Sequence, residues 1–211
     1  SATGLPTATT NAVTVVPASP TQMTILSQPP ALVTAGNPFG LSAQVFDRFG
    51  NLATNYGGNL SVSIAVNPAG GRLSGPTSVR VVNGVALFNG LSLDKSGAGY
   101  QLQVRGVGST ALRTDALTVQ ATAAVKLVLT TQPPTNVTAG VDFPVVARVL
   151  DRFNNLATGF NGEVQASFFR NPGPSTLGGT TRVSAVNGVV TMTGLSLNKA
   201  ANGYQLQLTS A

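Results

Sequence analysis

The chain has 211 residues, of which 9% are charged, 42% hydrophobic and 6% aromatic, and it contains 24 glycines and 13 prolines. Few charges and many turn-forming residues are typical of an all-β protein and exclude a highly charged helical bundle or coiled coil. The absence of histidine and cysteine excludes disulfides, thiol nucleophiles, a zinc site and any Ser-His or Cys-His catalytic pair. The six carboxylates and twelve Lys/Arg that remain favour a protein that is not an enzyme.

The net charge of +6 comes from basic residues that occur singly along the chain. A phosphate-binding surface would need clustered or aromatic-interleaved basic residues, so no nucleic-acid partner is predicted. A membrane span needs about 18 or more consecutive apolar residues, and the sequence contains no such run. The first ten residues lack the basic and then apolar pattern of a signal peptide.

One internal repeat dominates the sequence. Gln28 to Pro30 recurs as Gln132 to Pro134, 104 residues later, and no gap is needed between residues 22 and 107. Further pairs at the same offset are Val33 to Gly36 with Val137 to Gly140, Asp47 to Phe49 with Asp151 to Phe153, and Gly99 to Gln103 with Gly203 to Gln207. So many matches in one register indicate a duplicated domain.

The ends of the chain are offset from the ends of the repeats. Asn11 to Val15 matches Asp115 to Val119, the segment that closes the first repeat, whereas Ala211 matches Val107, which precedes that segment. We therefore expect residues 1–19 to be the closing strand of a preceding repeat. Residues 20–124 are then the first repeat, and residues 125–211 the second repeat without its last strand.

Each repeat contains short strand patterns separated by turn residues. The predicted strands of the first repeat are Met23 to Ser27, Phe39 to Val45, Asn59 to Val66, Val79 to Val82, Val85 to Phe88, Tyr100 to Arg105 and Ala116 to Val119. Asn83-Gly84 between two apolar runs predicts a β-hairpin. About seven strands in roughly 100 residues predict an all-β fold with two tandem sandwiches of antiparallel sheets.

The repeated residues also resemble a known family. The resemblance rests on Thr34 to Gly36, Phe39, Val45, Asp47, Gly50-Asn51, Val82 to Phe88, Leu91 to Leu93 and Gly99 to Leu102, and on their second copies. The pattern is similar to the bacterial immunoglobulin-like repeats of long secreted and surface proteins. The resemblance implies immunoglobulin-like sandwiches and an extracellular or cell-surface tandem array of the kind found in stalks, adhesins and filaments.

Two turn motifs have competing interpretations. Asp47 and Asn51 flank a tight turn, as do Asp151 and Asn155, and either form an Asx turn or supply half of a Ca²⁺ site between domains. Calcium needs six to eight oxygens, and each repeat has only three separated acids, so the Asx turn is favoured and no cofactor is predicted.

Aromatic residues at the ends of strands also have two interpretations. Tyr100 and Tyr204 begin a strand after a glycine-containing turn, where a tyrosine commonly bonds backward and fixes the corner of a sandwich. This interpretation is favoured over a ligand-stacking role. Phe49 and Phe153 either cap the end of a core or form a contact between domains.

The offset ends predict self-assembly. A sandwich without its last strand exposes a sheet edge that is a template for another chain. The predicted self-assembly strand is Ala12, Val13, Thr14, Val15 and Val16, and the predicted acceptor edge is Tyr204, Leu206 and Leu208. Strand addition between copies would be head-to-tail and would propagate into an open filament. A leading segment without a sheet beside it would count against this account.

Two alternatives remain open. The chain is equally explained as an excerpt of a longer covalent array, in which neighbouring repeats supply the missing strand. The second alternative is an adhesion or carbohydrate-binding module, although the chain offers no tryptophan and only three tyrosines for a binding platform.

Overall fold

The first half of the chain folds as ten strands. The computed structural model describes residue 4, residues 6–108 and residues 110–210. The strands are β1 (Pro20–Ser27), β2 (Leu32–Thr34), β3 (Phe39–Asp47), β4 (Asn59–Val66), β5 (Leu73–Ser74), β6 (Ser78–Arg80), β7 (Val85–Leu93), β8 (Gly97–Arg105), β9 (Leu112–Arg113) and β10 (Leu117–Gln120). Residues 1–3 and 5 of the predicted leading segment, and residues 109 and 211, lie outside the described residues.

The second half repeats this order with fewer strands. They are β11 (Ala124–Thr131), β12 (Phe143–Asp151), β13 (Glu163–Arg170), β14 (Leu177–Gly178), β15 (Arg182–Ser184), β16 (Val189–Leu197) and β17 (Gln205–Ser210). Strands β1 and β11 begin 104 residues apart, as the repeat predicts. Among the described residues, none forms a helix that is long and apolar enough to cross a membrane.

Two sheets enclose the first core. One sheet has the order β1-β3-β7-β5, and the other has the order β2-β10-β8-β4-β6 with β9 paired to β8. Alternate residues of β3, beginning with Phe39 and Leu41, point into a core that also contains the buried Phe88 and Leu102. A period of two along a strand places every second side chain on the inner face. The predicted all-β sandwich is confirmed.

The predicted hairpin at Asn83-Gly84 is wrong beyond its first residue pair. Both turn residues have positive φ, 49° and 79°, as a type I′ turn requires, and Val82 bridges to Val85. Strand β6, however, pairs with β4 in one sheet, while β7 pairs with β3 in the other. The turn therefore carries the chain from one sheet to the other, because each strand finds its longer partner elsewhere.

The second sandwich has one complete sheet and one incomplete sheet. The order β11-β12-β16-β14 reproduces the first sheet of repeat 1, but the facing sheet has only the order β15-β13-β17. Residues 136–138, which match β2, form no strand, and β17 begins at Gln205 although its counterpart β8 begins at Gly97. In the first sandwich, β2 and the first residues of β8 are the segments that pair with β10. Within the described residues, the second sandwich has no counterpart of β10.

The leading segment does not form the predicted strand in the single chain. Residues 6–18 contain no strand, and Val13 and Val15 are 82% and 86% exposed. An isolated strand has no partner for its backbone groups, so these residues form no strand without a sheet edge in reach. The expectation that they pair with a neighbouring sandwich stays a prediction.

The contrast between Leu117 and its repeat counterpart Val13 gives a matched test. Leu117 is 1% exposed, so Leu117→Ala should lower the free energy of unfolding of the first sandwich by about 2–5 kcal/mol. Val13→Ala should change the stability of the monomeric chain by less than about 0.5 kcal/mol, because Val13 contacts solvent. Denaturant unfolding of both variants checks this, and equal losses would contradict the assignment of β10 as a core strand.

Candidate functional site

The first sandwich shows how a closing strand is held. Strand β10 lies between β8, to which it pairs antiparallel, and β2, to which it pairs parallel. Thr118 N donates to Ala31 O at 2.8 Å, and Ala35 N donates to Gln120 O at 2.8 Å. Leu117 and Val119 are each 1% exposed. The strand thus contributes backbone pairing on both edges and two apolar side chains to the core.

A threonine that precedes β10 adds two hydrogen bonds to strand β8. Thr114 is buried, its Oγ1 accepts from Leu102 N at 2.9 Å, and its N donates to Leu102 O at 2.9 Å. Thr10 occupies the matching position of the leading segment. Sequence reasoning missed this pair because it began the match at Asn11. Extending the alignment by one residue would have found it.

The second sandwich has an open groove where β10 would lie. The groove has a volume of about 730 Å³. Its walls come from β11, β12, β17 and the loops around residues 132–139 and 199–204, including Leu129, Val137, Phe143, Val145, Leu197 and Tyr204. These residues match Ile25, Val33, Phe39, Leu41, Leu93 and Tyr100, which surround Leu117 and Val119 in repeat 1. The groove thus combines apolar residues, at positions whose counterparts belong to the first core, with polar loop residues such as Gln132 and Asn202.

The predicted acceptor residues lie along one side of this groove. Tyr204, Leu206 and Leu208 all line it and are half-buried. Their counterparts in the first sandwich, Tyr100, Leu102 and Val104, are each 0% exposed. The structure thus brings the three acceptor residues together, whereas the leading segment lies outside the groove of its own chain. Whether the two bind each other stays a prediction.

The tyrosine corner is present in both repeats. Tyr100 Oη donates to Lys95 O at 2.9 Å, and Tyr204 Oη donates to Lys199 O at 2.8 Å. The corner interpretation is confirmed. This bond also forms in the second sandwich, whose groove is open. It therefore fixes the Tyr204 side chain at the groove edge without a strand in the groove.

The Asx turns are also confirmed in both repeats. Asp47 Oδ1 accepts from the backbone N of Phe49 and Asn51, each at 2.9 Å. Its Oδ2 accepts from Asn51 Nδ2 at 3.1 Å and from Ala18 N at 2.9 Å. Asp151 makes the same four bonds, and its Oδ2 accepts from Thr122 N at 3.0 Å. The described residues contain no group of three or more metal-ligating side chains.

These hydrogen bonds change the acidity of both carboxylates. Burial acts to raise the pKa of Asp47, but the bonds from Asn51, Ala18 and Phe49 outweigh it and lower the pKa to about 2. The same balance lowers the pKa of Asp151. Since Ala18 and Thr122 lie two residues before the first residues of β1 and β11, each ionised carboxylate fixes the linker to the sandwich that follows it.

The turn of the second repeat also forms the contact between the sandwiches. Asn155 Nδ2 donates to Asp94 O at 2.8 Å, and Ser96 N donates to Asn155 Oδ1 at 3.0 Å. Lys95 Nζ donates to Phe153 O at 2.6 Å. The Phe153 ring packs against the core of the first sandwich, over Gly36, where any Cβ would overlap it. Of the two interpretations of Phe153, the domain contact is confirmed.

Fold and site together define a pair of immunoglobulin-like β-sandwiches in tandem. No family model matches the chain, and no curated protein matches it. Among solved structures, it is similar to the Escherichia coli adhesin FdeC, with a TM-score of 0.43 and 21% identity over 94% of this chain. The chain spans 62% of that structure.

Similar structures also include a surface-layer protein and an enzyme. Domains 4 and 5 of the surface-layer protein SbsC match with a TM-score of 0.33 and 15% identity, covering 93% of this chain and 94% of theirs. Bacteroides uniformis β-glucuronidase 3 matches with a TM-score of 0.26 and 12% identity over 92% of this chain, but only 25% of the enzyme is covered. At these values the likeness carries no information about function.

The Asp turns predict acid sensitivity. Both folded pKa values lie below the ordinary unfolded value near 3.9, so the stabilisation is present above about pH 4 and is lost as the pH falls through the folded pKa, which is about 2 for Asp47. The free energy of unfolding should therefore fall over this window. Titrating it in the wild type and in the Asp47→Asn, Asp151→Asn double variant checks this. The double variant should be less stable at pH 7 and less pH-dependent; identical curves would contradict the prediction.

Proposed function

We propose that this chain is a non-catalytic structural repeat of an extracellular filament or fibre. Residues 10–16 of one copy fill the groove in the second sandwich of the preceding copy and complete its sheet. The single observation that carries this proposal is the groove, lined in part by apolar residues, at the position that β10 fills in the first sandwich.

The leading segment has the chemistry that this groove needs. Val13 and Val15 match Leu117 and Val119 in register, and Thr10 matches Thr114. Burying each valine is worth roughly 1.5–3 kcal/mol, and the sheet edges add backbone hydrogen bonds. Pairing would also cover valines that are more than four-fifths exposed in the single chain.

The linker supports the same register. Ala18 N bonds to Asp47 as Thr122 N bonds to Asp151. The leading segment therefore leaves the first sandwich at the point from which β10 approaches the second. A preceding copy placed as the first sandwich is placed here would present its groove to Val13 and Val15.

A chain cannot reach its own groove with this segment. From the anchored Ala18 to Val13 the backbone extends about 17 Å at roughly 3.3 Å per residue. Strand β3, which ends at Asp47 beside this anchor, has nine residues and is about 30 Å long. The groove lies beyond that length, in the next sandwich, so residues 10–16 can enter only the groove of another copy, and strand exchange is head-to-tail.

A peptide of residues 10–19 tests the groove directly. The acceptor is the full chain with Val13→Asp and Val15→Asp, which keeps its groove but cannot donate a strand. The peptide should raise the unfolding temperature of the second sandwich and shift the NMR signals of Tyr204 and Leu206. The same peptide with both aspartates is the matched control and should have no effect.

A peptide of residues 114–123 calibrates this experiment, because it carries the strand that β10 forms in the first sandwich. Binding of both peptides supports the proposal. Binding of residues 114–123 alone would show that the groove accepts a closing strand but not the leading segment. Failure of both would contradict the assignment of the groove.

Fibres isolated from the source material distinguish strand exchange from a covalent array. Electron microscopy should show an axial repeat of two sandwich lengths. Boiling in SDS should release chains that each carry one copy of this pair of repeats, since strand pairing is not covalent. A longer polypeptide from the same fibres would favour the covalent tandem array.

A further inference from the structure

The junction between the two sandwiches is built from parts that recur, unpaired, at the outer ends of the molecule. The inner junction joins the Asp151–Asn155 turn to the 94–96 turn and to Gly36. The first of these parts recurs as the Asp47–Asn51 turn at the front. The others recur as the 198–200 turn and Gly140 at the far end.

The front turn is already folded for docking. Asp47 N donates to Asn51 O at 3.0 Å, as Asp151 N donates to Asn155 O at 2.9 Å. An arginine guanidinium lies over the phenylalanine ring in both turns, 4.5 Å from the Phe49 ring centre and 4.8 Å from that of Phe153. The two turns differ in their surroundings, since Phe49 is 67% exposed whereas Phe153 is half-buried against the first sandwich.

The far end is folded in the same way. Gly140 N donates to Leu197 O at 2.7 Å, as Gly36 N donates to Leu93 O at 2.7 Å. Both glycines have positive φ, 79° and 75°. The tyrosine corner holds the 198–200 turn through Lys199 O, as it holds the 94–96 turn. Gly140, Lys199 and Ala200 are exposed.

The residue changes between the two ends do not remove any junction contact. Asp94 and Ser96 bond Asn155 only through backbone O and N, so Asn198 and Ala200 at the matching positions can do the same. The lysine that donates to a phenylalanine carbonyl is conserved between the repeats as Lys95 and Lys199. Gly140 leaves the same room for an aromatic ring as Gly36.

We propose that the Phe49 turn of one copy docks on the Gly140 and Lys199 surface of the neighbouring copy. This surface is a second contact at each joint between copies, and it borders the strand groove, with which it shares Lys199 and Ala200. The inference rests on the proposed head-to-tail assembly and specifies how the joined sandwiches are oriented. In this contact Phe49 covers Gly140, Asn51 bonds the backbone of residues 198 and 200, and Lys199 Nζ donates to Phe49 O.

A photo-crosslinking residue in place of the phenylalanine tests the contact while keeping an aromatic ring. Phe49→p-benzoylphenylalanine in assembled full-length protein should crosslink to residues 138–141 or 198–200 of another copy, as identified by mass spectrometry. Phe153→p-benzoylphenylalanine is the matched internal control. It should crosslink to residues around Gly36 within the same chain, whether or not copies assemble.

A third probe separates this inference from the proposed function. Val13→p-benzoylphenylalanine reports whether the leading segment sits in a groove, through crosslinks to β11, β17 or Tyr204. Crosslinks from position 13 without any from position 49 to the far-end surface would overturn the docking contact and leave strand exchange intact. Absence of intermolecular crosslinks from both positions, with the internal control positive, would overturn both.

Charge and ring variants check the chemistry of the contact. Phe49→Ala and Lys199→Glu should each make the fibres more flexible, seen as a shorter persistence length in electron micrographs. Phe49→Ala should leave binding of the 10–19 peptide unchanged, because Phe49 does not line the groove. Phe153→Ala should loosen the joint inside the chain and serves as the matched variant. Fibres that keep wild-type stiffness after Phe49→Ala and Lys199→Glu would contradict the contact.

Discussion

A sandwich is complete only when a closing strand pairs with its open sheet edge and fills the apolar positions beside it, and much of this structure depends on that requirement. Strand β10 meets that requirement in the first sandwich by pairing on both sides and burying Leu117 and Val119. Without an equivalent strand, the described part of the second repeat loses order beyond one element: residues 136–138 and 201–204 leave the sheets, and the side chains behind them become half-exposed. Both segments lie outside the sheets because their counterparts in the first repeat pair with β10.

Much of this architecture was predictable because two copies of one sequence report the same pattern. The period of 104 residues locates the strands, the Asx turns and the tyrosine corners from the sequence alone. These features depend on short-range chemistry: an aspartate bonding backbone groups two to four residues ahead, or a tyrosine bonding five residues back. Local interactions are encoded within the segment that forms them.

The failures have the opposite origin. At Asn83-Gly84 the turn conformation was local and correct, but the pairing partners of β6 and β7 lie in different sheets, so the hairpin was not formed. Phe49 and Phe153 belong to the same repeated motif but differ in burial. Phe153 packs against the first sandwich, whereas Phe49 is exposed. In each case the deciding contact was distant in sequence.

The direction in which β10 enters its site has a mechanical consequence. The strand continues through Thr122 straight into β11, so tension along the molecule pulls β10 lengthwise rather than sideways. Its bonds to β2 and β8 are then loaded in shear and must break together, whereas a strand peeled from one end would release them one at a time. A joint closed in this manner resists stretching far better than its modest number of hydrogen bonds suggests.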